Sequence, residues 1–537
     1  MNTITRQSFP AIVACLIFLG STKVLAQNPI INLSFTTTEI AKNKTITEAS
    51  EATYSVDLMK PQFTSGITDY ALDLSSDAML RRPWIVDSLS IQSIDFAQSF
   101  SIQLFVKTKP GARQGTPIAG NKLHDSLTHA GWQILTQTNG AWGINLADGK
   151  KQINYLPTER QAINDGFWHQ IVLTVERPKN EARMYFDGRQ VAIYNLLDLG
   201  HFLSDKRTII GGTDQYFEWG SAGQWKAFNG YIDEVKIWNR TISVQEVEHN
   251  WNTLCPKKKT SARRLPPNQI KVMTWNIWHG GRRYGQYVGV DRTIETIKAA
   301  QVDVICMIET YGSGPIIADA LGYHLYLISS NLSILSKYPL GETFEAFRPF
   351  NFGGAYIQIS TDQKILVLDT WLHYLPSYLA NVAQQKVSAK ELVEAEFETR
   401  ANEIQQILKE IQPTLARSGA IGTIMAGDFN SGSHLDWTNQ TKDIHHQYVV
   451  DWPVSMSMAE AGFKDSFRIL HINPLTDPGF TWTPRAAKSS TLYGPRDRID
   501  YIYFQGKLDP IHSEVLSYHP IMFPSDHAAV ITTFGLP

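Results

Sequence analysis

Thr423-Ile-Met-Ala-Gly-Asp-Phe-Asn-Ser431 decides how the second half of the chain is read. The short apolar run Thr423–Ala426 reads as a buried strand, and it stops at Gly427. Asp428 and Asn430 follow two residues apart, a spacing that puts both side chains on one face of an extended backbone. The carboxyl can hold a charge or a proton, and the amide offers a donor and an acceptor at fixed reach. That pairing suits a phosphate oxygen and an attacking water beside a divalent cation. The same two residue types after a strand also form turns, so the rest of the chain has to decide.

A length of 537 residues predicts two or more domains, and 43% hydrophobic with 19% charged residues is the composition of a globular chain. The chain starts with a targeting pattern. Arg6 is the basic residue, Ala11–Gly20 the apolar stretch, and Val24-Leu25-Ala26 the cleavage site, so residues 1–26 are expected to be a signal peptide. The protein is therefore expected to be secreted, extracellular or periplasmic. Ile12-Val-Ala-Cys15 sits too early in the apolar stretch for a lipoprotein site, and no later segment is long and apolar enough to span a bilayer. Cleavage removes Arg6 and Lys23, taking the net charge from −2 to −4. It also removes Cys15, leaving Cys255 and Cys306, which are expected to stay reduced and to form no zinc site. Sequons stand at Asn32, Asn43, Asn239 and Asn331.

Residues 28–252 are built of short alternating segments bounded by Gly, Asp and Asn, which predicts an all-β two-sheet sandwich. Phe100–Val106, Gln170–Val175 and Ala182–Phe186 are examples, the last followed by the hairpin signal Asp187-Gly188. Asp165–Val175, Tyr185-Phe-Asp-Gly188 and Phe228–Trp238 resemble the laminin-G-like, concanavalin-type jelly-roll family. That resemblance leaves sugar binding, protein binding and scaffolding open. Trp142, Tyr216, Trp219 and Trp225 are candidates for stacking on sugar rings, with packing in the sandwich as the alternative. Residues 253–267 carry five basic residues, three prolines and no apolar period, and read as a solvated linker.

From 268 to 537 strands alternate with helices. Ile270–Trp275 reads as a strand ending at Asn276, Arg292–Ala300 as a helix, and Val304–Ile308 as a strand ending at Glu309. Asn381–Ile411 reads as the longest helical stretch, with Leu392, Phe397, Ile404, Ile407, Leu408 and Ile411 as its apolar stripe. This segment holds 21 basic and 27 acidic residues, a net −6, which lacks the electrostatic footprint of a nucleic-acid grip.

Polar groups recur at strand ends: Asn276, Glu309, His373, Asp428 with Asn430, Asp500, and Asp526-His527. In an α/β sandwich such ends face a shared crevice. Each has an ordinary alternative, such as a turn for Asn276 or an ion pair with Arg498 for Asp500. Thr274-Trp-Asn276, Ile308-Glu309, Gly427-Asp-Phe-Asn430, Arg498-Ile-Asp-Tyr501 and Ser525-Asp-His527 together resemble the deoxyribonuclease-I-like endonuclease/exonuclease/phosphatase family. The resemblance implies a four-layer α/β sandwich, two mixed sheets flanked by helices, with a Mg2+- or Mn2+-dependent site. It implies Glu309, Asn276 and Asp526 as metal residues. Asp428 would orient or deprotonate the attacking water and Asn430 would hold a phosphate oxygen; His527 would contact the phosphate or take a proton, steered by Asp500. Family members carry Thr-His-Leu where this chain has Asp369-Thr-Trp-Leu-His373, so His373 either replaces that histidine or marks a bulge. Tyr374, Tyr378 and Trp278-His279 are expected near the same mouth. The expected function is a secreted phosphodiesterase acting on small, lipid-linked or glycan-linked phosphate esters, carried by a sandwich that binds a carbohydrate or surface ligand. The alternatives are an extracellular nuclease, a phosphomonoesterase, and an adhesion protein with an inactive second domain.

Overall fold

Period-two alternation places Phe100, Ile102, Leu104 and Val106 on one face of their strand, where they meet Ile171, Leu173 and Val175 of the next in a common core. The computed structural model describes residues 28–36, 62–75, 84–86, 96–123, 129–205, 208–212, 228–255, 267–483 and 496–537. The expected signal peptide, most of the basic linker, and Tyr216, Trp219 and Trp225 lie outside them.

The first domain is the expected two-sheet sandwich. One sheet runs Gln62–Ser65, Tyr70–Asp73, Tyr231–Trp238, Phe100–Lys107, His169–Glu176, Glu181–Phe186, Arg189–Asn195, with Ile31–Leu33 also on Tyr231–Trp238. The other runs Trp84–Val86, Thr208–Ile210, Pro117–Gly120, Gly131–Thr136, Trp142–Ala147, Gln152–Tyr155. Asp187 and Gly188 turn the hairpin with φ of 50° and 79°, the left-handed pair that a two-residue hairpin needs. Trp142 is a core residue, fully buried and donating Nε1–H to Gln161 Oε1 at 3.1 Å, so it is no sugar platform. A capping box between Ser243 and Glu246 starts the helix Val244–Leu254, which carries ordered structure past the expected boundary at 252.

The second domain has two six-stranded sheets. One runs His324–Leu327, Leu332–Ser336, Val304–Ile308, Gln269–Asn276, Ala529–Gly535, Asp509–Leu516; the other runs Leu340–Phe344, Phe352–Gln358, Lys364–Trp371, Gly422–Asp428, Asp500–Gly506, Lys464–Asp465. They face each other across Val272, Val304, Ile334, Val367, Ile424 and Ile502. Helices cover the outer faces. Ile294 and Ile297 of Val288–Ala300 meet Met273 and Met307 on one side, and Ile404, Ile407 and Ile411 of Arg400–Arg417 meet Leu366, Leu368 and Met425 on the other. The result is the four-layer sandwich. Cys306 is buried in the core, and among the described residues neither Cys255 nor Cys306 is in a disulfide.

Two helix readings need correction. The helix expected at 292 begins at Val288. The long stretch Asn381–Ile411 is three helices, Tyr378–Ala383, Ala389–Phe397 and Arg400–Arg417. Gln385 adopts φ 52°, and a Ser388/Glu391 capping box restarts the chain, signals that an apolar stripe read alone passes over.

The domains are not merely tethered. Ala192, Ile193 and Tyr194 pair in parallel with Leu325, Tyr326 and Leu327, so one 14-stranded sheet crosses from the sandwich into the second domain. Asp319 accepts from Thr158 N at 2.9 Å and Gln161 Nε2 at 2.9 Å, Arg183 donates to Gly341 O at 3.1 Å, and Arg189 donates to Gly322 O at 2.7 Å. Ile193 packs in the core of the second domain. Without this partner His324–Leu327 would be an open edge. Thermal unfolding of the intact protein is therefore expected to give one calorimetric transition. Two separate transitions that persist in a chain cut between the domains would contradict the coupling.

Candidate active site

Strand register brings the predicted residues to one end of the molecule. Gln269–Asn276 runs parallel to Val304–Ile308 and antiparallel to Ala529–Gly535, so Asn276, Glu309 and the Asp526-His527 pair emerge together. In the facing sheet Asp428 is the direct antiparallel partner of Asp500. Gly427 makes the close approach to Lys364–Trp371, because a Cβ there would lie 1.9 Å from Thr370 O.

Like charges directly opposite each other across two strands repel, and both carboxylates are buried. His527 resolves the conflict. Its Nδ1 lies 2.9 Å from Asp500 Oδ2 and its Nε2 3.9 Å from Asp428 Oδ2. Burial pulls the ring towards neutrality, but Asp500 and Asp428 outweigh it and the imidazolium persists to about pH 10. Asp428 is raised to about 7, by burial first and by the Asp500 charge, against the opposing pull of His527 and the Asn276 amide. Ser525 and Thr481 fix the frame: Ser525 Oγ donates to Asn276 O at 2.7 Å and accepts from His527 N at 3.0 Å, and Thr481 Oγ1 accepts from Asp500 N at 3.1 Å. The ring of Trp482 lies 4.9 Å from that of His527.

A second pair of carboxylates sits beside this group. Glu309 Oε2 accepts from His279 N at 2.7 Å, and Oε1 takes the Asn276 amide at 3.3 Å. Asp526 is raised to about 6, chiefly by burial and also by the Glu309 charge, with the His527 charge opposing. Asp526 Oδ1 is buried with no hydrogen-bond partner. Two hard oxygen donors held in mutual repulsion, one with an orphaned atom, fit a divalent cation such as Mg2+ or Mn2+. Ligand atoms of Asp428, Asp500 and His527 also lie within 4.8 Å of one another. In that triad His527 Nδ1 is already engaged by Asp500 Oδ2 at 2.9 Å, whereas Glu309 and Asp526 offer oxygen donors alone, the set a hard cation prefers. Asn276 links the two halves: Nδ2 donates to Glu309 Oε1 and to Asp428 Oδ2 at 3.1 Å, and Oδ1 accepts from Trp278 N at 3.0 Å. Its observed place is a bridge between the carboxylates.

Other expected residues take different places. Asn430, at φ 50°, donates its side-chain amide to Leu372 O at 2.9 Å and its backbone N–H to Asp428 Oδ1 at 3.0 Å, which clamps the strand end. His373 lies past the strand end at Trp371. Its backbone N–H goes to Glu403 Oε2 at 2.9 Å, its Nδ1 meets the Leu375 backbone, and its ring stacks on Tyr374 at 5.4 Å. Among the described residues no hydrogen bond joins His373 to Asp428, Asn430 or His527. Tyr378 is buried and donates its hydroxyl to Asp497 Oδ2 at 2.6 Å, so it packs in a core instead of lining an open pocket. Arg498 pairs with Asp436 and Asp465, both at 2.7 Å, which leaves Asp500 to His527. The sequon residue Asn331 is fully buried, with Oδ1 accepting from Glu309 N at 3.2 Å. A sequon pattern read as surface chemistry hides that supporting role.

Residues 86–248 match the family model described as the concanavalin A-like lectin/glucanases superfamily, and residues 273–527 match that of the endonuclease/exonuclease/phosphatase family. By sequence the chain is 28% identical over 293 residues to uncharacterized protein F14F9.5 of Caenorhabditis elegans, covering 50% of this chain and 91% of that protein. It is 27% identical over 178 residues to the rat (Rattus norvegicus) sushi, von Willebrand factor type A, EGF and pentraxin domain-containing protein 1, covering 32% of this chain and only 5% of that protein. Among solved structures it is similar to TDP2 of Caenorhabditis elegans (TM-score 0.37, 19% identity, 55% of this chain and 82% of that one). It is also similar to an AP endonuclease from Archaeoglobus fulgidus (TM-score 0.36, 17% identity, 50% and 100%). A laminin-G-like, concanavalin-like domain is thus followed by an endonuclease/exonuclease/phosphatase domain.

Two outcomes are expected of the metal-free protein. In a 15N NMR titration His527 stays protonated through neutral pH up to about 10, and Asp500→Asn returns it towards the ordinary histidine range. Since its folded pKa is raised, its stabilisation is complete below the ordinary histidine value and is lost as pH rises through about 10. A neutral His527 at pH 7 would contradict the assignment. Arg498→Leu, which strands Asp436 and Asp465, is expected to cost about 3–5 kcal/mol in denaturant unfolding.

Proposed function

We propose that the endonuclease/exonuclease/phosphatase domain of this chain is a secreted, divalent-metal-dependent phosphodiesterase. The observation that carries the reading is the convergence of Glu309, Asp526, Asp428, Asp500 and His527 at one end of two facing sheets. A domain kept only for adhesion has no need of that set, and every member is present.

Glu309 and Asp526 would hold Mg2+ or Mn2+, and the bound cation would supply the charge neutralisation that lets a water approach an anionic phosphodiester. Asp428, whose proton leaves at about pH 7, orients the attacking water and takes its proton at Oδ2. His527 carries its proton at neutral pH and donates from Nε2 to a phosphate oxygen. Asp500 fixes the tautomer by accepting from Nδ1. Asn276 holds Asp428 and Glu309 at their spacing. The Trp482 ring and the Trp275 indole, which donates to His527 O at 3.0 Å, keep the imidazole in place.

The net −6 of residues 268–537 supports small or conjugated phosphodiesters over long nucleic acids. The sandwich would present the catalytic domain to a glycan or surface ligand, and the shared sheet supports a fixed geometry between the two. Among the described residues no helix is long and apolar enough to cross a membrane.

Hydrolysis of bis-p-nitrophenyl phosphate with Mg2+ or Mn2+ is the expected activity, abolished by chelator and restored by added metal. Asp428→Ala is expected to lower kcat by roughly 10²–10⁴. Glu309→Gln is expected to raise the metal concentration needed for half-maximal rate. Turnover that ignores chelator, or that survives Asp428→Ala unchanged, would contradict the reading. Degradation of DNA or RNA faster than small diesters would move it to a nuclease.

A further inference from the structure

One loop touches the site without serving its chemistry. Trp278-His-Gly-Gly-Arg-Arg-Tyr284 leaves the strand end at Asn276 and is tied down at once. Trp278 N donates to Asn276 Oδ1 at 3.0 Å, His279 N to Glu309 Oε2 at 2.7 Å, Gly280 N to Glu309 O at 2.7 Å, and Ser313 Oγ to Gly280 O at 2.7 Å. The backbone held this way is unusual. Fourteen non-glycine residues have positive φ among those described, and five of them (Trp278, His279, Glu309, Tyr311 and Asn430) surround this site. For large aromatic residues that conformation is costly and persists where the surroundings enforce it.

The rings so placed do not fill a core. His279, Arg283 and Tyr284 are exposed and Trp278 is half-buried. The His279 and Tyr311 rings stack at 5.7 Å and 26°, Tyr284 meets Trp278 edge-on at 5.3 Å, and the Arg283 guanidinium lies 5.4 Å from the Trp278 ring centre. Exposed, pre-positioned aromatic faces stack on flat or ring-shaped groups. A guanidinium beside them reads an anion with paired donors. Arg282 and Arg283 are cations at the mouth of an acidic domain. A cation already on Trp278 disfavours a quaternary ammonium, the usual guest of aromatic cages.

We propose that this loop is the ledge for the alcohol that stays on phosphorus, and that this alcohol bears a ring and a further anionic group. The inference rests on the phosphodiesterase reading and narrows it: ring-bearing, multiply charged esters are preferred over acyclic or choline-type ones.

The test uses the intact protein with Mn2+ and three diesters that release the same p-nitrophenolate, with thymidine (through its 5′ oxygen), methanol or choline as the retained alcohol. The thymidine ester is expected to exceed the methyl ester in kcat/KM by about tenfold or more, mostly through KM, with the choline ester lowest. Trp278→Ala is expected to bring the thymidine-to-methyl ratio close to one, and Trp278→Phe to keep most of it. A folding defect would lower all esters alike and leave the ratio. Should Trp278→Ala fail to fold, Arg283→Gln decides: it is expected to erase any advantage of a 3′-phosphate on the thymidine ester. A wild-type ratio near one, a preference for choline, or a Trp278→Ala variant that folds, with unchanged circular dichroism and thermal unfolding, yet keeps the thymidine-to-methyl ratio would overturn the ledge alone. No metal-dependent cleavage of any ester would overturn the phosphodiesterase reading, and the ledge with it.

Discussion

Asp428 and Asp500 face each other across an antiparallel strand pair, buried and alike in charge, and His527 is the proton-bearing group that makes the pairing tolerable. Most of the site follows from that constraint. Burial and repulsion lift Asp428 towards neutral pH, where perturbed carboxyls of this kind are candidates for proton transfer. The same two carboxylates favour the charged form of His527. Asn276 then joins this buried cluster to a second acidic pair, Glu309 and Asp526, where a hard cation fits. The two halves differ in chemistry, one holding a proton and the other offering oxygen donors with an orphaned atom among them, and a single amide bridges them.

The sandwich takes part in the architecture of the catalytic domain. Parallel pairing of Arg189–Asn195 with His324–Leu327 closes an edge of the catalytic sheet, and Asp319 reaches into the sandwich to accept from Thr158 and Gln161. Few such contacts would join two domains on a flexible tether. The sandwich is therefore held at a fixed orientation to the crevice by a shared sheet and side-chain hydrogen bonds.

Much of this was legible in the sequence for physical reasons. Period-two alternation and Asp187-Gly188 gave the sandwich, and polar residues closing apolar runs gave Asn276, Glu309 and Asp428. Other features are not encoded locally. The three-helix break within 378–417 depends on a capping box and a left-handed Gln385. Arg498 stands two residues from Asp500 yet turns to Asp436 and Asp465, a choice made by residues more than thirty positions away. The sheet that joins the domains pairs strands more than a hundred residues apart, which no window of sequence reveals. Asn331 stands in a sequon, yet it is a buried support of Glu309. His373 answered a sequence departure by position alone, and its ring bonds and stacks locally instead.

The division into a proton-holding and a metal-holding half is tested most directly by anomalous diffraction from a crystal of the protein soaked in Mn2+. The account predicts one strong peak at roughly 2 Å from carboxylate oxygens of Glu309 and Asp526, with His527 still hydrogen-bonded to Asp500. A peak between Asp428 and Asp500 with a ring nitrogen of His527 as ligand would contradict it.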